Sequence, residues 1–206
     1  MQPIRPLLLA LILTAPAARA ALPDVLFSIG QDDQNCAEFA LAQLAGWQRY
    51  AETFTRPVAL TAGVSRPDRD WPYIHPNTAD AWAGGRTHPF TVRFALAEAP
   101  SEPLTLVIGQ LNALQSPTLT LSVNGHALEP RPLPAGSGDS SGRAEGRMRP
   151  ARTLIPIPAA HFRAGDNDLV LTLDRGSWII YDYVLLCTKE PDAEPPADLA
   201  PQVEAL

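Results

Sequence analysis

The sequence predicts an all-β fold, a jelly-roll β-sandwich carrying one short N-terminal helix. Three observations predict it. Apolar residues alternate with polar ones at a period of two in stretch after stretch, as in Phe90, Val92, Phe94 and Leu96 against Thr91, Arg93 and Ala95. Asn124-Gly125 supplies a two-residue hairpin turn, in which both central positions need positive φ. Ala37 to Ala45 is the one stretch whose Ala, Leu and Phe content favours a helix. About eight short strands separated by turn signals fit two packed antiparallel sheets.

In order, Leu26 to Ile29 is a short apolar run closed by Gly30, a first strand followed by a turn at Asp32-Asp33. Asn35 is placed to cap the expected helix, Glu38 stands near its positive end, and Gly46 would stop it. Val58 to Val64 reads as a weak strand. Leu104, Leu106 and Ile108 form one half-buried strand and Leu119, Leu121 and Val123 another, the latter opening a hairpin from Thr118 to about Leu128. Residues 129–152 are rich in Pro, Gly, Ser and charge without apolar periodicity, which predicts a long mobile loop. Its Arg143, Arg147, Arg149 and Arg152 can meet an acidic sugar or simply be solvated. In Leu154 to Ile157, Pro156 and Pro158 imply an edge strand or a strand end. Ala164 to Asp168 reads as a turn that feeds Leu169, Leu171 and Leu173. Ser177 to Leu186 is apolar on both faces and must be covered on both sides. Asp182 interrupts one of those faces, and a carboxylate there must be hydrogen-bonded or ion-bound.

The stretch richest in polar and aromatic chemistry is DRDWPYIHPNTADAWAGGRTH, Asp68 to His88. Pro72 and Pro76 remove backbone donors and Gly84-Gly85 permits positive φ, so a long ordered loop is expected rather than a helix or a central strand.

Residues 1–20 have the form of a secretory signal: Arg5, an apolar run from Leu7 to Ala15, and Ala18-Arg19-Ala20 before a cut ahead of Ala21. The run is too short for a membrane span, so an exported protein, periplasmic or extracellular, is expected. Residues 21–188 would form the jelly-roll domain, and 189–206 a disordered acidic, Pro-rich tail. Losing Arg5 and Arg19 takes the formal charge from −6 to −8, which argues against nucleic acid as a partner. Cys36 and Cys187 are the two cysteines, and export makes a disulfide between them an expectation beside two buried thiols.

FSIGQDD followed by EF, then DWPYIHP, FTVRFAL, LTLVIG, PTLTLSVNG, IPIPAAHFRAGDNDLVLTL and GSWIIYDYVLL together resemble the C-terminal domain (domain III) of rhamnogalacturonan lyases, polysaccharide lyase family 4. The resemblance runs from Leu26 to Leu186. It implies a galactose-binding-like jelly roll of the carbohydrate-binding-module kind. In that family the catalytic residues belong to an N-terminal β-rich domain without a counterpart here, so no catalytic residue carries over. What is implied is a polysaccharide-contacting module, with a pectic or rhamnogalacturonan-type glycan as the candidate ligand and recruitment by a separate catalytic protein left open.

Sugar rings present apolar CH faces and rims of hydroxyls, so a site needs flat aromatics beside bidentate polar groups. In the Asp68 to His88 loop, Trp71, Tyr73 and Trp82 can stack on rings. Asp70, Asn77, Asp80 and Arg86 can bond hydroxyls or a uronate carboxylate, with His75 and His88 completing the set. Alternatively Trp71, Tyr73 and Ile74 fold back as a small core, with Asp70 and Asp80 making turn bonds. An enzyme would use His75, Tyr73 and Arg86 for β-elimination from a uronate, or two of Asp68, Asp70 and Asp80 for hydrolysis. A structural exoprotein is the third reading. No cofactor is required; Asp32, Asp33, Glu38 and Asp182 can offer oxygens to a structural calcium ion, although their spacing is not that of an EF-hand loop.

Overall fold

In the computed structural model, residues 22–142 and 147–189 are described. The expected signal, Arg143 and all but the first residue of the expected tail lie outside them. Eleven strands build two sheets: β1 (Val25–Gly30), β2 (Val58–Thr61), β3 (Ile74–His75), β4 (Phe90–Leu96), β5 (Leu104–Ala113), β6 (Thr118–Val123), β7 (His126–Ala127), β8 (Arg131–Pro132), β9 (Ala151–Ile157), β10 (Gly165–Arg175) and β11 (Ile179–Cys187). The first sheet has the order β1-β11-β5-β9, with β3 also on β11. The second runs β2-β4-β10-β6-β7, with β8 also on β6. The fold is a jelly-roll β-sandwich, as the alternation predicts.

The core follows from the period of two. Phe90, Val92, Phe94 and Leu96 of β4, Leu169, Leu171 and Leu173 of β10, and Leu119, Leu121 and Val123 of β6 turn inward from one sheet. Phe27 and Ile29 of β1, Leu104, Leu106 and Ile108 of β5, and Ile155 and Ile157 of β9 meet them from the other. All nine residues of β11 are buried, because it lies between β1 and β5 and is covered on both faces. Its outward Tyr183 and Leu185 join Val107 and Cys187 in a second apolar cluster. Gly109 on β5 is required there, since a Cβ would collide with the Tyr183 ring. β9 is an edge strand, as Pro156 implies. Asn124 and Gly125 both take positive φ, 51° and 83°, in the turn between β6 and β7.

Four expectations need correction. Residues 37–45 are not helical. Asn35 Oδ1 accepts the Ala37 N–H, and Ala40 pairs in parallel with Pro72, its N–H donating to Trp71 O (2.9 Å) and its carbonyl accepting from Tyr73 N (3.0 Å). A tertiary bridge overrides the local propensity, and the short N-terminal helix forms later, as a 3-10 turn over Gly46–Arg49 and an α turn over Tyr50–Thr53. The Asp68 to His88 stretch contains more structure than a loop. A helical turn covers Pro67–Asp70, and β3, set between Pro72 and Pro76, pairs with β11 at Ile179–Ile180 where β1 no longer reaches. The turn expected over Ala164 to Asp168 is already strand from Gly165, paired with β4.

The fourth correction is the disulfide. Cys36 and Cys187 are not bonded to each other. Cys187 pairs with Val25 at the start of β1, whereas Cys36 follows the far end, where Gly30 pairs with Tyr183. The run from Tyr183 to Cys187 alone covers about 14 Å at about 3.4 Å per residue, twice the span a disulfide bridges. Cys36 Sγ instead lies 3.7 Å from Gly142 O and Cys187 Sγ 3.4 Å from Thr105 O.

The described part of residues 129–152 is attached to the sandwich. Leu133 is buried in the core, Gly138 N donates to Ala113 O and Arg149 N to Leu111 O. Asn112, fully buried on β5, holds Ser137 and Asp139 through three hydrogen bonds of 2.8–2.9 Å.

Candidate functional site

Most residues that the sequence marks as ligand contacts are inside the protein. Trp71 is fully buried, its ring set edge-on to Phe90 (5.1 Å, 83°) and tilted against Tyr181 (5.6 Å). Tyr73 is also fully buried and donates its hydroxyl to Ser140 O (2.8 Å). His75 stacks flat on Phe90 (3.7 Å, 6°). Its Nε2 donates to His88 O (2.8 Å), so Nδ1 accepts the Tyr181 hydroxyl (2.7 Å). Burial drives its pKa down to about 3, which keeps the ring neutral. His88 is buried, contacts the Tyr50 hydroxyl and is pushed down to about 4, mainly by burial. None of these four offers a face to a sugar; Trp71 and Tyr73, with the fully buried Ile74, form the small core that the sequence allowed as the alternative, and His75 and His88 are buried beside it.

The polar members act as clamps. Asp70 accepts from the Arg69 guanidinium and from Arg66 N, which together bring its carboxyl down to about 2 and close the helical turn. Asn77 Oδ1 accepts from Ala79 N (2.7 Å), while its amide donates to Gly176 O (2.9 Å). Asp80 accepts from Asn77 N (2.8 Å) and the Ser177 hydroxyl (2.6 Å). The loop is thereby fastened to the β10–β11 connection, just ahead of Trp178. Arg86 donates to the Phe54 and Thr55 carbonyls. The β-elimination constellation does not assemble: His75 and Tyr73 are sealed and Arg86 is occupied with backbone.

What the clamps position is a cleft of about 280 Å³, whose lining includes Trp47, Trp82 and Trp178 with Leu114, Ser140 and Asp80. Trp47 and Trp82 meet edge to face (5.4 Å, 75°), and Tyr50 braces Trp82 from behind (5.8 Å, 85°). Trp47 and Trp82 are half-buried, and Leu114 is 39% exposed at the rim. The loops that deliver these side chains are tightly wound. Leu41, Ala45 and Gln115 adopt positive φ (64°, 58° and 65°), and Gly46 has no room for a Cβ against Leu41 O. Non-glycine residues in the left-handed region cost energy and persist where the surroundings fix them. Here they flank Trp47 on one side and Leu114 on the other. Flat indole faces beside a hydroxyl and a carboxylate suit a ring with an apolar face and a polar rim. Of the residues marked in the sequence, Trp82 and Asp80 line this cleft. Trp47 and Trp178 were missed, although each is a bulky aromatic beside a glycine or serine turn.

The family model described as "CBM-like: Polysaccharide lyase family 4, domain III" matches residues 25–186. The chain belongs to this family. No curated protein matches it. Among solved structures, a family 35 carbohydrate binding module from an environmental isolate is 18% identical, with TM-score 0.38 over 48% of this chain and 65% of that one. The chain therefore spans just under two thirds of that module. The CBM35 from Cellvibrio japonicus Abf62 is 17% identical, with TM-score 0.32 over 50% of this chain and 72% of that one. The CBM36-1 domain of a multidomain xylanase from the hindgut metagenome of Trinervitermes trinervoides is 13% identical, with TM-score 0.35 over 51% and 74%.

In this CBM-like domain three of the carboxylates considered for calcium accept backbone N–H groups, and Asp33 and Asp182 share that of Asn35. Glu38 accepts from Gln31 N and Asp33 from Asn35 N. Among the described residues no group of three or more His, Cys, Asp or Glu side chains is placed to hold a metal ion. Asp182 is buried on β11, accepts the Asn35 N–H (3.1 Å), and is raised to about 7 by burial first and by neighbouring Asp32 and Asp33. The folded carboxyl therefore keeps its proton between about pH 4, where an unfolded aspartate titrates, and about pH 7. In that window the folded state binds more protons than the unfolded one, so this group's contribution to stability falls as pH rises and is gone above about pH 7. Asp182→Asn should melt higher than the natural chain at pH 8, by a margin that shrinks toward pH 4. Equal pH slopes for the two proteins in thermal melts would show that Asp182 is not the group responsible. Among the described residues, no helix is long and apolar enough to cross a membrane.

Proposed function

We propose that this protein is an exported carbohydrate-binding module that holds polysaccharide of the pectic, rhamnogalacturonan type on the half-buried Trp47 and Trp82, with the buried Trp178 as the floor of the cleft. It catalyses nothing itself and delivers the glycan to a separate catalytic protein. The observation that carries the reading is the convergence of three of the four tryptophans on one cleft. Membership of a CBM-like family supports it. The signal-like sequence before Ala21 supports export, to the periplasm or beyond the cell. At about 280 Å³ the cleft is near the small end of ligand sites, so it takes one or two sugar units and affinity is modest.

A glycan array on the purified protein, followed by calorimetric titration, tests this. Trp47→Ala and Trp82→Ala should each weaken binding about 10-fold or more, because a stacked ring loses its platform. Unchanged affinity in both variants would remove the cleft from the function. Release of unsaturated uronate from a pectic substrate, followed by absorbance, would overturn the non-catalytic part. Processing ahead of Ala21 is checked by N-terminal sequencing of the exported protein.

A further inference from the structure

Tyr50 touches Trp82 and His88 edge to face, and it also lines a small cavity of about 20 Å³ together with Arg56, Val58, Arg86, His88 and Pro89. That is room for one guest of about the size of a water molecule and not for a sugar ring. His88 is only 4% exposed, and its Nε2 has no hydrogen-bond partner among the described residues. A buried polar atom left in this way is costly until a guest satisfies it. The ring proton can be placed. The Tyr50 hydroxyl lies 3.3 Å from His88 Nδ1 and has no other hydrogen-bond partner among the described residues, so the phenol donates to Nδ1. The imidazole is neutral, its pKa pushed down to about 4 by burial first and by the Arg86 charge second. Its one proton is therefore on Nε2, a donor that lacks an acceptor.

The surrounding charges decide what the acceptor is. Arg56 makes no hydrogen bond and no ion pair among the described residues. Arg86 donates to the Phe54 and Thr55 carbonyls, which are neutral and leave its charge uncancelled. The carboxylate whose charge reaches His88 is that of Asp80, and it is held by Asn77 N and the Ser177 hydroxyl.

We propose that this cavity binds one monovalent inorganic anion, chloride by its size, which accepts the His88 Nε2–H while the guanidinium groups of Arg56 and Arg86 supply the positive field. A halide is a spherical acceptor that takes N–H donors from several directions, and two positive charges without a carboxylate partner make it a better guest than neutral water. The site is separate from the tryptophan cleft and stands whether or not that cleft holds a glycan.

The test uses the full chain, dialysed into sodium gluconate, whose anion is too large for the cavity, and titrated with sodium chloride or sodium bromide at constant ionic strength so that general screening stays fixed. The melting temperature should rise with halide and level off, as it does for a ligand that binds the folded state alone. The chloride NMR line should broaden in the presence of the protein and sharpen again as bromide competes. Arg56→Gln, a change at an exposed side chain, should weaken chloride binding about 10-fold or more, the scale of a lost charge-assisted contact. Arg131→Gln, which removes the same charge from exposed β8, should leave chloride binding unchanged. A crystal grown in bromide should show an anomalous peak within hydrogen-bonding reach of His88 Nε2. A melting temperature indifferent to the exchange of gluconate for chloride, with no line broadening, overturns the proposal and leaves water as the guest. Equal losses in the two arginine variants overturn it as well, because diffuse attraction to the surface then accounts for the effect, and so does a bromide peak found only elsewhere.

Discussion

Trp71→Ala is expected to lower stability by about 3–5 kcal/mol, the cost of deleting a large aromatic side chain from a packed core. Trp71 is fully buried against Phe90 and Tyr181, so its removal opens a cavity under both. For a domain of this size the melting temperature should fall by roughly 10 °C. Trp71→Phe should cost clearly less. It keeps a ring in the space and removes an indole N–H that has no hydrogen-bond partner among the described residues. Thermal melts of the three proteins decide this, and glycan titration well below the melting temperature completes it. A Trp71→Ala variant that melts like the natural chain but no longer binds glycan would return Trp71 to the ligand and contradict the burial.

Asn112→Ala should have the next largest effect, because one buried amide organises a whole wall. Its side chain donates to Ser137 Oγ and Asp139 O and accepts from Ser137 N. Gly136 lies so close to the Asn112 amide oxygen that no Cβ fits between them. At about 1 kcal/mol for each bond, with buried partners left unpaired, the loss is roughly 3 kcal/mol. The same change releases Gly138 and Ser140, so glycan affinity should drop with stability. Denaturant unfolding and calorimetric titration read the two separately. Stability that falls while affinity at low temperature stays constant would show that the wall is not part of the site.

The sequence was legible where local chemistry and burial coincide. β4 occupies the stretch from Phe90 to Leu96 that alternation assigns, since a half-buried strand writes its two faces into its residue order. The turn at Asn124-Gly125 has the expected dihedral signs because few other residues tolerate them. β11 reads as doubly covered because both of its faces are apolar. The helix expected over 37–45 fails for a complementary reason. Propensity differences are worth tenths of a kcal/mol per residue, and the Ala40 bridge to Pro72 outweighs them.

The sequence by itself therefore determined the class of fold, most of its strands and the unusual chemistry of Asp68 to His88. It also left open whether that chemistry faces a ligand or the core. Only the tertiary structure decided this. Trp71 and Trp82 stand in one turn-rich segment, yet pairing of β3 with β11 draws the first inside, while the Asp80 clamp on Ser177 leaves the second at the surface. Trp47 and Trp178, far apart in the chain, line one cleft with Trp82 because separate loops close over it. Aromatic residues are used alike for packing and for stacking, and their composition carries no mark of direction. Direction is set by hydrogen bonds to residues dozens of positions away, which no local pattern records.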